Sequence, residues 1–221
     1  MAFDEKLFQD NFSFGVRASI ANTIRIATAA FTSFWKDNAS FLNGADELYG
    51  RILDYAVKRQ FQNSAPLTSA NYFASIKETN FCKGSAVFLD THDYVINVCR
   101  TVKPNRLPCK AAYKLRLAQG NREDVAQMEL FLPENDNQLS TRPPKHYAII
   151  GYRYFNQKLQ HLNILVPDPA FTSILYSLDL LKQITEYYHY VPEKLVEENV
   201  ATLKSEILQA AQIKNLIVSG E

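Results

Sequence analysis

Glycine is scarce in this chain, seven in 221 residues, and none are spaced as GxGxxG or GxxxxGK[ST]. A loop that cradles phosphate needs glycine for positive φ and close backbone approach, so the shortage argues against a P-loop hydrolase and a dinucleotide fold. The three cysteines, Cys82, Cys99 and Cys109, are an odd number without a CxxC pair. That argues against both a disulfide framework and a four-ligand zinc site, and a reducing, cytoplasmic setting is expected. No GxSxG elbow, HExxH helix or EF-hand loop occurs, so no catalytic residue, metal or cofactor is assigned. The start, Met1 to Gln9, mixes acids with apolar residues instead of the basic-then-apolar layout of a secretory signal. The longest apolar-looking stretch, Ile20 to Phe34, is interrupted by Asn22, Thr23 and Arg25 and falls short of the roughly 20 apolar residues that span a bilayer. No membrane partner is expected.

What is present suits a packed globular core: 47% hydrophobic and 21% charged residues. One domain over 1–221 is the simplest division, with a helical region at 1–80, a sheet at 85–167 and closing helices at 168–217. Ile20, Ile24, Ala27, Phe31 and Phe34 step by 4, 3, 4, 3 and predict one buried stripe on a helix that ends before Asn43-Gly44. A second helix is predicted from Ala45 to about Phe61, with Leu48, Ile52, Tyr55 and Ala56 inward. A short third one is predicted over Ser69 to Lys77, after Pro66.

From Ala86 the period changes to 2, and six short runs predict three hairpins. Ala86 to Asp90 would pair with Asp93 to Val102 through Thr91-His92. Ala112 to Ala118 would pair with Val125 to Leu132 around Gly120-Asn121, and His146 to Phe155 with Leu159 to Val166 around Asn156-Gln157. Asp168-Pro169 then reads as the cap and first residue of closing helices carrying Ile174, Leu178 and Leu181, followed by a last helix with Val196, Val200, Leu203, Ile207 and Ala210 on one face. The expected fold class is therefore α+β: an antiparallel sheet of about six strands in three hairpins, covered on one face by N-terminal and C-terminal helices.

Charge is segregated along the chain. Residues 94–167 carry eleven Lys and Arg against five acids, residues 168–221 four against eight, and no acid falls between Tyr94 and Arg122. Alternation places Lys114, Arg116, Tyr152 and Tyr154 on the sheet face away from the helices, with Arg100, Lys103, Arg106 and Lys110 in adjoining loops. Rings that stack on bases and cations that follow phosphates would suit single-stranded nucleic acid on such a face. The bland alternative is a solvated face, in which Lys114 pairs Glu129 across strands. Tyr187, Tyr188 and Tyr190 form an aromatic cluster at a helix end, a packing knot or an anchor for a protein partner or second copy. Asp90 and Asp93 flank a turn and are expected to accept local amides more readily than a metal; Asp90 with Glu129 as a neighbour across the sheet defines a metal-dependent nuclease alternative. The leading expectation is a non-catalytic interaction or regulatory protein with a protein partner or as a homodimer, and nucleic-acid binding is the alternative.

Overall fold

The computed structural model describes residues 4–64, 72–79, 84–122 and 145–184, together with 201 and 204. Helix α1, Glu5–Asn11, starts at Asp4, whose Oδ1 accepts the Leu7 amide at 2.9 Å. Helix α2, Phe14–Asp37, buries all five residues of the predicted stripe, Ile20, Ile24, Ala27, Phe31 and Phe34. A single turn, α3 at Ala39–Leu42, leads to Gly44, whose φ of +81° is the left-handed conformation that ends the segment. Helix α4, Asp46–Ser64, lies along α2. Its inward face is rotated from the prediction: Leu53, Ala56, Val57 and Phe61 are buried, Leu48 and Ile52 pack at the margin, and Tyr55 faces outward.

Six strands form one sheet in chain order: β1 Phe73–Glu78, β2 Ser85–Asp90, β3 Tyr94–Arg100, β4 His146–Phe155, β5 Lys158–Pro167 and β6 Ile174–Asp179. Neighbours are antiparallel except β3 and β4, which run parallel with Tyr94 opposite His146 and Arg100 opposite Tyr152. The sheet is mixed, so the expectation of a purely antiparallel sheet is corrected. A parallel pair needs a crossover, and the chain supplies one between Arg100 and His146. It contains helix α5, Ala112–Ala118, and a 3-10 turn, Gln119–Asn121.

The predicted hairpins at Thr91-His92 and Asn156-Gln157 are present as β2–β3 and β4–β5. The one predicted at Gly120-Asn121 is not, because Ala112–Ala118 is helical, and its partner 125–132 lies outside the described residues. Tyr113, Leu115 and Leu117 satisfy a period of 2, yet over seven residues they also fit two turns of a helix that is half-buried nearly all round. Two further corrections run the other way. Part of the predicted helix at Ser69 to Lys77 is strand β1, and Ile174–Asp179 is strand β6 where a helix was expected; among the described residues that follow, Leu180–Ile184, helix α6, are helical. Asp168 caps a turn, not a helix: its carboxylate accepts the amides of Thr172 and Ser173 at 2.6 and 2.8 Å. The predicted helix around Val196 to Ala210 lies outside the described residues except Ala201 and Lys204, both helical; Lys204 Nζ stands 3.1 Å from Asp37 on α2.

Helices α1, α2 and α4 cover one sheet face, the larger core, through Val87, Leu89, Ile96, Val98, Ala148, Ile150, Leu162 and Ile164. The crossover covers the other, where Ala118, Leu107 and Leu115 meet Tyr147, Ile149, Leu165 and Phe171. Gly120 is where the crossover touches the sheet most closely, since a Cβ there would stand 2.4 Å from the Lys145 carbonyl oxygen.

Candidate polyanion interface

Residues 101–122 include six cations and no acid, and the fold spreads them as a layer over the second face of the sheet. Lys103, Arg106, Lys110, Arg116 and Arg122 are exposed. Lys114 is not: it is buried, donates from Nζ to the Cys109 carbonyl at 3.2 Å, and sits 5.8 Å from the centre of the Tyr113 ring. The layer is fixed from below by Asn121, whose Nδ2 donates to the carbonyls of Tyr147 and Pro167 at 3.0 and 2.8 Å while its Oδ1 accepts the Tyr147 amide at 2.7 Å.

Arg106 and Lys110 come together at a groove of about 560 Å³ between the loop that opens the crossover and the turn before β6. Asn105, Thr172 and Ser173 supply polar groups, and Phe171, Pro108 and Ile174 an apolar wall. Asn105 has φ +53° and its Oδ1 accepts from Ser177 and, at 3.5 Å, from Asn163. The arrangement offers two exposed cations beside the half-buried Pro108 and Ile174, with Phe171 buried behind them, a combination that accepts a phosphate and apolar surface next to it. The turn residues could not be found from the sequence, because they lie over sixty positions away and join the site only through the β5–β6 pairing.

Three predicted contacts lie elsewhere. Tyr152 and Tyr154 are buried under the helices, at 2% and 8% exposure, so they offer no ring to a base on an open face. Strand β4, HYAIIGYRYF, is apolar in both phases, and its alternation alone does not say which phase faces the helices. Its pairing does: Ile150 lies opposite Ile164 and Tyr152 opposite Leu162, while Ile149 shares the crossover side with His161 and Asn163. Arg100 also points to the helix side. Its Nε lies 2.8 Å and its Nη2 3.0 Å from the two oxygens of Asp54, and the Tyr152 hydroxyl donates to Asp54 at 3.1 Å. Burial raises the Tyr152 pKa well above the usual phenol value and the nearby Asp54 charge adds to this, so the hydroxyl remains a donor.

The remaining candidates are structural in their surroundings. Asp90 pairs with Lys77 at 3.4 Å and Lys145 at 3.7 Å. Asp93 accepts from Asn11 at 2.7 Å, and that bond chiefly lowers its pKa, with help from His92. No group of three or more His, Cys, Asp and Glu among the described residues could hold a metal ion, and Glu129 lies outside them. Cys99 is enclosed on the crossover side, and burial pushes its thiol up to about 11, which keeps it protonated at neutral pH. Tyr187, Tyr188 and Tyr190 lie outside the described residues. No described helix is long and apolar enough to cross a membrane. No family model matches the chain, and searches of the curated proteins and of the solved structures found no match.

Proposed function

We propose that this is a non-catalytic binding protein that engages a polyanion through its crossover layer, with single-stranded nucleic acid as the ligand class. The observation that carries the reading is a run of sequence: five exposed cations within 101–122 and not one acid in that stretch, with Asp168 beside the groove engaged by Thr172 and Ser173. Net charge is only +1, so attraction depends on this local field and acts at short range. The groove of Arg106 and Lys110 adds apolar surface from the half-buried Pro108 and Ile174, against which a base could lie.

The test is binding of a labelled single-stranded oligonucleotide followed by fluorescence anisotropy at rising salt. Binding that weakens steeply with salt and is lost in the triple variant Lys103→Glu, Arg106→Glu, Lys110→Glu is the expected result. Affinity indifferent to both would reject the reading.

A protein partner is the second reading, and exposed rings favour it. Phe41 is 84% and Phe73 69% exposed, far above what a lone apolar residue covered by its own fold shows. A species heavier than one chain in gel filtration, reduced to one chain by Phe41→Ser or Phe73→Ser, would support it.

A further inference from the structure

On the opposite side of the molecule, away from the crossover layer, a second groove of about 540 Å³ runs between helix α2 and the tip of the β4–β5 hairpin. One wall is a single face of α2: Arg25, Thr28, Ala29, Thr32, Ser33 and Lys36 recur at helical spacing. The other is Tyr154, Gln157 and Leu159, presented by a turn in which Asn156 and Gln157 hold φ of 50° and 58°. The middle of the helix face carries only small side chains, which is what opens the space. A cation stands at each end, eleven residues or about 16 Å apart along the axis, near enough for two long side chains to bend toward one ligand. No carboxylate is among the described residues that line the groove. Asp37, next to Lys36, is paired with Lys204.

We propose that this groove binds a small phosphorylated molecule with a polar, hydroxyl-bearing body, of the sugar-phosphate class. Two cations with no carboxylate among the described lining residues select a ligand carrying more than one negative charge, and the guanidinium fork of Arg25 suits phosphate oxygens. The lining between them selects the rest. Among the described residues it mixes four hydroxyl side chains and the Gln157 amide with Ala29, Leu159 and the threonine methyls, so the space suits a ligand body with both polar and apolar faces, as a sugar ring has. The Thr28 hydroxyl donates to the Arg25 carbonyl at 3.0 Å and is buried, and the Thr32 hydroxyl donates to the Thr28 carbonyl at 2.7 Å, so Ser33 and the Gln157 amide are the groups placed to bond a ligand hydroxyl. Tyr154 hydrogen bonds Thr32 across the groove and ties the hairpin wall to the helix. A nucleic-acid role for the crossover layer neither requires this site nor excludes it, because the sheet separates the two.

The experiment is a titration of the isotopically labelled full chain with inorganic pyrophosphate, read as amide chemical shifts. Shifts concentrated at residues 25–36 and 154–159 are expected. Affinity should fall about tenfold or more in Arg25→Gln/Lys36→Gln and in Ser33→Glu, which keeps both cations but sets a negative charge between them; Arg106→Gln/Lys110→Gln should bind as before. Absence of shifts at either wall with millimolar pyrophosphate would overturn the proposal, as would unchanged affinity in both groove variants. Shifts confined to 105–110 and 171–174 would also overturn it, and would leave the crossover reading standing.

Discussion

Arg100 shows how one side chain is diverted from the role its charge suggests. Its guanidinium lies over Gly50 of α4, where an added Cβ would stand 2.4 Å from Nη1, and it clasps Asp54 one turn further on. Glycine inside a helix is ordinarily less stable than alanine by about 0.5–1 kcal/mol. Here alanine would evict a half-exposed ion pair worth up to about 1 kcal/mol. Gly50→Ala should therefore change stability little in the native chain and raise it by about 0.5–1 kcal/mol in an Arg100→Gln background, measured as a double-mutant cycle in urea. Equal gains in both backgrounds would show that the guanidinium does not need the glycine. His161 yields a pH prediction. Burial lowers its pKa below the usual 6.5, and Arg153 adds to that against the pull of Asp179, while Thr101 Oγ1 sits 2.8 Å from Nε2. The unfolded chain then binds the extra proton, so this contribution to stability is complete above pH 6.5 and is lost as pH falls through 6.5 toward the lower folded value. Asp93, lowered from 3.8, acts only in more acid solution. Thermal midpoints measured from pH 7.5 down to 5 should fall in the native protein and stay flatter in His161→Gln.

At the scale of elements, the crossover depends on Asn121 more than on its apolar contacts alone. Removing that side chain leaves an amide and two carbonyls at the ends of β4 and β5 without partners, at about 1–3 kcal/mol for each group that water does not reach. Asn121→Ala should destabilise the fold by about 2–4 kcal/mol and speed hydrogen exchange at the Tyr147 amide. Asn121→Asp should fare no better, because a carboxylate cannot donate to the two carbonyls. None of these three contacts was legible in the sequence, where Gly120-Asn121 looks like a hairpin turn. Helix α2 and the β4–β5 hairpin were legible because each has a long pattern of one period, five apolar positions at 4, 3, 4, 3 and two ten-residue strands about a two-residue turn. Short segments were not. Ala112–Ala118, Phe73–Glu78 and Ile174–Asp179 each offer six or seven residues that fit either period, and what decides them is the sheet edge or layer they meet. The same holds for the candidate site: the run of cations was visible, but the burial of Tyr152, Tyr154 and Lys114 depends on strand register and on α5.

For the molecule as a whole, the described residues place cations on both sides of the sheet. A nearly neutral protein presents a cationic layer on one sheet face and covers the other with helices that leave Arg25 and Lys36 beside a groove. Such a layout predicts how salt should act. If a single strand engages all five exposed cations of the crossover, the logarithm of its affinity should fall with the logarithm of salt concentration at a slope near about 3.5, from about 0.7 per neutralised phosphate. Arg106→Gln/Lys110→Gln should lower that slope by about 1.4 and weaken binding similarly for different sequences, since neither cation reads a base edge in the groove geometry. A slope unchanged by the double substitution would mean that the groove is not part of the interface, even if binding to the remaining cations persists. Weak dependence on overall charge should follow too: substituting distant cations such as Lys58 or Arg51 on α4 should leave the slope alone, because at physiological salt their field fades within about 8 Å.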